Sequence, residues 1–178
     1  MKDLICFDLD NTLIKSDGAH INAFVKAFSE IGLKVNKKKL AVLLYGLSSE
    51  SIIKKLFPNL KNSQVTKLRK RHDELVTNET GKMIKPIKRS QYILKKLKKK
   101  YEVAIVSNCR IIELKSLLET AGITRESYNF AIGKDEVKRP KPYPDELFKA
   151  EKLSKHRAIC MVGDSIFDVM AADRKSVV

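Results

Sequence analysis

Cysteine is scarce in this chain: Cys6, Cys109 and Cys160 are the only three among 178 residues. An odd number at wide spacing gives no disulfide framework. Two of the three lie inside apolar runs, which reads as reduced, buried thiols in a cytoplasmic protein. No apolar run approaches the roughly 20 residues that a membrane span needs, so no membrane association is expected. The first strand opens at Leu4, which leaves no room for a signal peptide. Tryptophan is absent and aromatics make up 7%. They do not interleave with the basic runs in the way that stacks nucleic-acid bases. Acidic residues are the other deficit, 21 against 36 Lys+Arg, for a net charge of +15. The lysines spread along expected helices, as in Lys37-Lys38-Lys39 and residues 95–100. That argues for solvated helix faces and against nucleic acid as the partner. The net field would still draw in phosphate-bearing small molecules.

At 43% hydrophobic, the chain can bury a core, and its length suits one domain or a core with an inserted subdomain. Leu4-Ile5-Cys6-Phe7 reads as a strand buried on both faces. Residues 17–82 hold no strand candidate. They read as four helices: Ala19–Ile31, capped by Ser16 or Asp17 and stopped by Gly32; Leu40–Leu44; a third capped by Ser48 or Ser49 and reaching Phe57; and a long, very polar fourth from Gln64 to Thr80. From Pro86 the pattern alternates. Helices are expected over Arg89–Lys99 (Ile93, Leu94 and Leu97 inward), Ile111–Ala121, Asp145–Leu153 and Ser165–Ala172. Strands are expected over Val103–Val106, Tyr128–Ile132 and Ala158–Val162. The expected fold is therefore α/β: a doubly wound, Rossmann-like, mostly parallel sheet formed by residues 1–16 and 83–178, with an inserted all-helical cap over 17–82.

In such a sheet, ligands bind beyond the carboxyl ends of the strands. Asp8 and Asp10 follow the first strand, Ser107 and Asn108 the second, and Asp164 the fourth. Two carboxylates one residue apart at a buried strand end raise each other's pKa, a cost that a metal ion removes. Lys141 lies between Pro140 and Pro142, in a stiff, pre-oriented backbone. Asp164 and Asp168, four apart at a helix start, share one face, and Gly163 lets the chain turn tightly before them.

Asp8-Leu9-Asp10-Asn11-Thr12 resembles the first motif of the haloacid dehalogenase superfamily. Ser107-Asn108, Lys141-Pro142-Tyr143-Pro144 and Gly163-Asp164-Ser165-Ile166-Phe167-Asp168 resemble the later motifs, in the right order. The resemblance implies an Mg²⁺-dependent phosphatase working through an aspartyl-phosphate. Asp8 would be the nucleophile and Asp10 the general acid and base. Ser107 would hold the phosphoryl group, with Lys141 neutralising charge. Mg²⁺ would be held by Asp8, Asp10 (through its carbonyl), Asp164 and Asp168. Thr12, Asn108, His20 and Ser48 would contact substrate.

The helical insertion is similar to that of the phosphoglycolate phosphatase and β-phosphoglucomutase branch, whose caps close over small phosphorylated metabolites. Residues 45–49, Tyr45-Gly46-Leu47-Ser48-Ser49, lack the basic residues that mutase-like members carry, which favours a phosphatase over a phosphomutase. His72 and His156 lie in polar contexts and receive no role. The chain stops where family members begin a further strand, so a truncated sheet edge is expected. The rival reading is a non-catalytic basic binding protein or an inactive fragment. A monomer or dimer is expected.

Overall fold

The computed structural model describes residues 2–44 and 47–177. Tyr45 and Gly46, part of the stretch compared above with the mutase-like loop, lie outside the described residues. The chain divides into two compact units, residues 16–84 and the remainder.

In chain order, β1 (Leu4–Phe7) leads to β2 (Ile14–Lys15). Four helices follow: α1 (Asp17–Ser29), α2 (Lys37–Leu44), α3 (Ser49–Leu56) and α4 (Asn62–Asn78). Then come β3 (Lys85–Pro86), α5 (Ser90–Lys98), β4 (Glu102–Ser107), α6 (Ile111–Thr120), β5 (Phe130–Gly133), α7 (Asp145–Ser154), β6 (Ala158–Val162) and α8 (Ile166–Lys175).

The sheet of the larger unit has the order β5-β4-β1-β6, and its strands pair in parallel. β1 is central. All four of its residues are buried, which the continuous apolar run demanded. Leu4, Cys6, Ala104, Val106, Ile132 and Ala158 from the strands pack with Leu147, Ala150 and Ala171 from α7 and α8. The chain steps outward from β1 to β4 and β5, then returns to place β6 on the other side of β1. This reversal of strand order is where a doubly wound sheet opens a crevice at its carboxyl ends. β5 and β6 are the outer strands, and Ile159 and Val162 of β6 are each 38% exposed.

The α/β architecture and most element positions match the sequence reading, but several details differ. β5 begins at Phe130, because Tyr128 is taken up as the residue closing a short 3-10 turn. In α5, Leu94 is buried but Ile93 is 46% exposed. Leu94 and Leu97 are three apart and share a face, whereas Ile93 lies about 100° round from Leu94. α1 ends at Ser29, so Ile31 falls outside the helix and is exposed. Gly32 follows at φ +76°, a left-handed stop suited to glycine. Ser16 occupies the N-cap position of α1, yet its hydroxyl makes no capping bond. Ser48 does cap α3, accepting from the Ser51 amide at 3.2 Å.

Within the helical unit, α1 packs against α4, and α4 against α3. α4 looks polar in sequence but buries Val65, Leu68, His72, Leu75 and Val76 along one face. Phe24 and Phe28 of α1 are almost fully buried, each contributing about 2–3 kcal/mol by area. His72 is likewise buried, stacked on Phe24 with 4.0 Å between ring centroids. None of the described helices is long and apolar enough to cross a membrane.

Candidate active site

The site is built from loops at the carboxyl ends of adjacent strands. After β1 the chain is held by the Asp8 amide, which donates to the Val162 carbonyl of β6 at 2.8 Å. The following loop then folds back on itself: the Leu13 and Ile14 amides both donate to the Leu9 carbonyl, at 2.9 and 3.2 Å. Asn11 turns the loop at φ +55°, a left-handed position that asparagine tolerates. Asp8 is thereby fixed at the mouth of the sheet, buried, while Asp10 is half-buried.

Lys141 crosses from the loop before α7 to meet it. Its Nζ donates to Asp8 Oδ1 at 2.6 Å, to Asp168 Oδ1 at 2.6 Å and to the Val106 carbonyl at 3.2 Å. These three acceptors use all three ammonium protons. The loop itself is anchored by Asn108, whose Nδ2 donates to the Lys141 carbonyl at 3.0 Å, and by Arg174 of α8, which donates to the Pro142 carbonyl at 2.6 Å. The Lys141–Pro142 peptide is cis.

Asp168 is positioned by the start of α8. Ser165 caps the helix by accepting from the Asp168 amide, while Asp168 Oδ2 accepts from the Ser165 amide at 3.0 Å and its hydroxyl at 2.6 Å. The turn before it needs glycine, because a Cβ on Gly163 would stand 2.3 Å from Asp168 Cγ.

Burial pushes the Asp8 carboxyl up to about 7; Lys141 pulls it back, and Asp168 and Asp10 push it further up. Burial opposes the charge on Lys141, but Asp8 and Asp168 outweigh it and hold its pKa above the ordinary lysine value. Asp164 is exposed, yet partial burial and the nearby Asp168 raise its pKa as well. Asp8, Asp164 and Asp168 each offer an oxygen within 4.8 Å of the others. Three clustered carboxylates, all hard oxygen donors, fit Mg²⁺ in preference to a thiolate- or imidazole-seeking metal. The Asp10 side chain is not among these three donors.

Ser107 ends β4, buried, and its Oγ accepts from the Cys109 amide at 3.2 Å with the Cys109 sulfur 3.1 Å away. Burial pushes the Cys109 thiol well up, so it keeps its proton at neutral pH. Thr12 Oγ1 and Asn108 Oδ1 are buried and lack a hydrogen-bond partner among the described residues, as do the Ser90 and Ser127 hydroxyls. His20 and Ser48 belong to the helical unit. There His20 Nδ1 lies 3.2 Å from His72 Nε2, and His72 Nδ1 lies 3.1 Å from Asp73. A cleft of about 550 Å³ lies elsewhere, between α6 and β5, lined by Lys115, Tyr128 and Phe130.

The sequence reading missed three residues near the site. Glu146 is wholly buried beside Lys141, Arg174 holds the lysine loop, and Ser165 orients Asp168. Ser165 was legible, since Ser-x-x-Asp is a capping pattern. Glu146 was not, because an acidic first helical turn reads as a partner of the helix dipole.

The sequence profile of the haloacid dehalogenase-like hydrolases matches residues 5–177. Similar curated proteins include the phosphoglycolate phosphatase of Photorhabdus laumondii, 26% identical over 177 residues and spanning 94% of this chain and 74% of its own. The pyrophosphatase PpaX of Bacillus cereus is 27% identical over 174 residues, spanning 93% of this chain and 76% of its own. Among solved structures, a hydrolase of the haloacid dehalogenase-like family from Streptococcus pneumoniae superposes with a TM-score of 0.82. It covers 99% of this chain and 82% of its own at 20% identity, a likeness of fold.

Proposed function

The chain belongs to the haloacid dehalogenase-like hydrolase family, and from that membership we propose that it is a phosphatase that cleaves a small phosphate monoester through a phosphoryl group carried on Asp8. The observation that carries this reading is the buried Lys141 ammonium held at 2.6 Å from both Asp8 and Asp168. A structural ion pair needs one carboxylate. A lysine shared by two, with a third carboxylate on the same face, supports a site built to receive more positive charge and then an anion.

The chemistry follows from the groups. An Asp8 oxygen bonds to phosphorus as the ester P–O bond breaks, and the departing alkoxide takes a proton from Asp10. Water then attacks the phosphoryl-aspartate and gives a proton to Asp10, which releases inorganic phosphate and restores the Asp8 carboxylate. Lys141 keeps Asp8 aimed and offsets the charge gathered on the phosphoryl oxygens. The Ser107 hydroxyl, already accepting from the Cys109 amide, has its own proton to offer a phosphoryl oxygen. Asn108 steadies the lysine loop through Nδ2 and turns its unpartnered Oδ1, like Thr12 Oγ1, toward substrate binding. Mg²⁺, when held by Asp8, Asp164, Asp168 and the Asp10 carbonyl, neutralises charge on the phosphate oxygens.

By the family resemblance, His20 and Ser48 of the helical insertion 17–82 are the candidates for recognising the non-reacting part of the substrate. That substrate is a phosphoglycolate-like acid or a sugar phosphate. The lack of lysine and arginine at residues 45–49 favours hydrolysis over phosphoryl return to a sugar, as in a mutase. The three free cysteines suit a reducing, cytoplasmic setting.

Phosphate release from an aryl phosphate and from a panel of phosphorylated metabolites, with Mg²⁺ and with EDTA, tests the reading. Metal-dependent release that disappears in Asp8→Asn is expected. Undiminished release by folded Asp8→Asn would overturn the mechanism, and no release by the folded wild type from the whole panel would overturn the activity.

A further inference from the structure

Glu146 is the second residue of α7, has no solvent exposure, and no side chain among the described residues hydrogen-bonds its carboxyl, which has only the Lys141 backbone amide acting on it as a donor. A fully buried ionised carboxylate with one backbone donor and no side-chain partner is costly enough that such groups take up a proton instead. Its surroundings leave it few other options. Lys141, the cation acting on it, already spends its three ammonium protons on Asp8, Asp168 and the Val106 carbonyl. The other ionisable groups acting there are Asp168 from α8 and Asp145 from its own helix, with the Cys6 thiol of β1 beside it. None supplies a positive charge. Glu146 makes no hydrogen bond to any of the metal-clustered aspartates.

We propose that Glu146 is a positioning residue held as a neutral carboxylic acid, which in that form leaves the Lys141 ammonium to Asp8 and on losing its proton competes for that ammonium. The inference rests on the phosphatase reading only in its consequence for rate. The protonation state of Glu146 stands on its complete burial and the lack of any side-chain partner. Burial pushes the carboxyl up to about 7, with the Lys141 charge and its backbone amide pulling down and Asp168 and Asp145 pushing up. The switch between the two arrangements therefore falls near neutrality. Glu146 touches no reacting atom, and it acts through Lys141.

Two measurements on the full chain test this, and they fail independently of each other. In wild-type protein labelled with ¹³C at the glutamate carboxyl carbon, one resonance should titrate about two pH units above the ordinary glutamate value. If every glutamate titrates within about one unit of that value, the proposal is overturned whether or not the protein is an active phosphatase. Asp8 does not interfere, because aspartate carries no label. In the second measurement, kcat for an aryl phosphate is followed from about pH 6 to about pH 8.5. The ratio of kcat at the alkaline end to that at the acid end should rise by about threefold or more in Glu146→Gln, with KM moving less than kcat. Parallel profiles in the two proteins would overturn the positioning role. Should Glu146→Gln not fold, the labelled wild type decides alone. Absence of activity in the wild type would count against the phosphatase reading and leave the carboxyl titration standing.

Discussion

The Asn108 side chain donates to the Lys141 carbonyl at 3.0 Å, joining the loop after β4 to the loop before α7 across 33 residues of sequence. Each loop brings a different part of the proposed chemistry, and this bond, together with that from Lys141 Nζ to the Val106 carbonyl at 3.2 Å, ties them to each other. Asn108→Ala removes about 1 kcal/mol of stability by the loss of one hydrogen bond. Its effect on turnover should be larger, on the order of tenfold or more in kcat, because a misplacement of about 1 Å at a reacting group costs up to about a hundredfold. Comparing the urea midpoint with kcat for the variant checks this. An equal, small effect on both would remove the positioning role.

Lys141→Met leaves Asp8 and Asp168 buried without their cation. The expected cost is about 3–5 kcal/mol, the range for removing one partner of a buried pair. Asp8 already sits near 7, against an ordinary 3.8, and loss of Lys141 pushes it further up. A carboxyl raised on folding contributes stability that is full below its ordinary value and is lost as pH climbs through its folded value. The variant's deficit in urea unfolding should therefore widen from about pH 5.5 to about pH 8. A deficit that narrows would contradict the arrangement.

Mg²⁺ should raise the melting temperature of the wild type, and by more at about pH 8 than at about pH 5.5. At the lower pH, the metal must displace a proton from Asp8, whose carboxyl titrates near 7. At the higher pH that proton has already left, and the clustered carboxylates repel until a cation arrives. Thermal unfolding with and without Mg²⁺ at both pH values reads this directly. A shift independent of pH, or none in Asp164→Asn and wild type alike, would count against the three-carboxylate site.

Gly163→Ala forces a methyl group into the 2.3 Å that separates its Cβ position from Asp168 Cγ. The carboxylate must move, and with it the Lys141 contact and one metal donor. A loss of roughly 1–3 kcal/mol is expected, as for other overpacked sites, together with a weaker Mg²⁺-induced thermal shift than in the wild type. An unchanged Mg²⁺ response would mean that Asp168 does not depend on that space.

Much of the site was legible because strands of an α/β sheet announce their own ends. The apolar run Leu4–Phe7 is followed at once by Asp8, and Ser107 closes Val103–Val106 in the same way, so a doubly wound parallel sheet puts these polar residues together at its carboxyl edge. What stayed hidden depends on packing between segments far apart in sequence. His72 stands between Arg71 and Asp73 and reads as solvated, yet Phe24 and His20 of α1 cover it. Ile93 satisfied the helical period but lies off the stripe that α5 buries against β4 and the 3-10 turn at Arg125–Ser127. Glu146 followed Pro144 and Asp145 in what resembled an ordinary helix start. Only the sheet beneath α7 makes its carboxyl a buried one.

The ribbon formed by β2 and β3 pairs Ile14 with Pro86 and Lys15 with Lys85. The chain thus departs toward its helices and comes back at neighbouring points, about 5 Å apart for paired strands. To the sheet, the 69 residues from Ser16 to Ile84 amount to one enlarged hairpin loop. A loop of that kind can be lengthened, shortened or exchanged for another without disturbing a single strand of the catalytic sheet, because its closure is set locally and loop length itself costs little. Inheritance can therefore rewrite the helical part at its own pace while Asp8, Lys141 and Asp168 stay under a separate constraint.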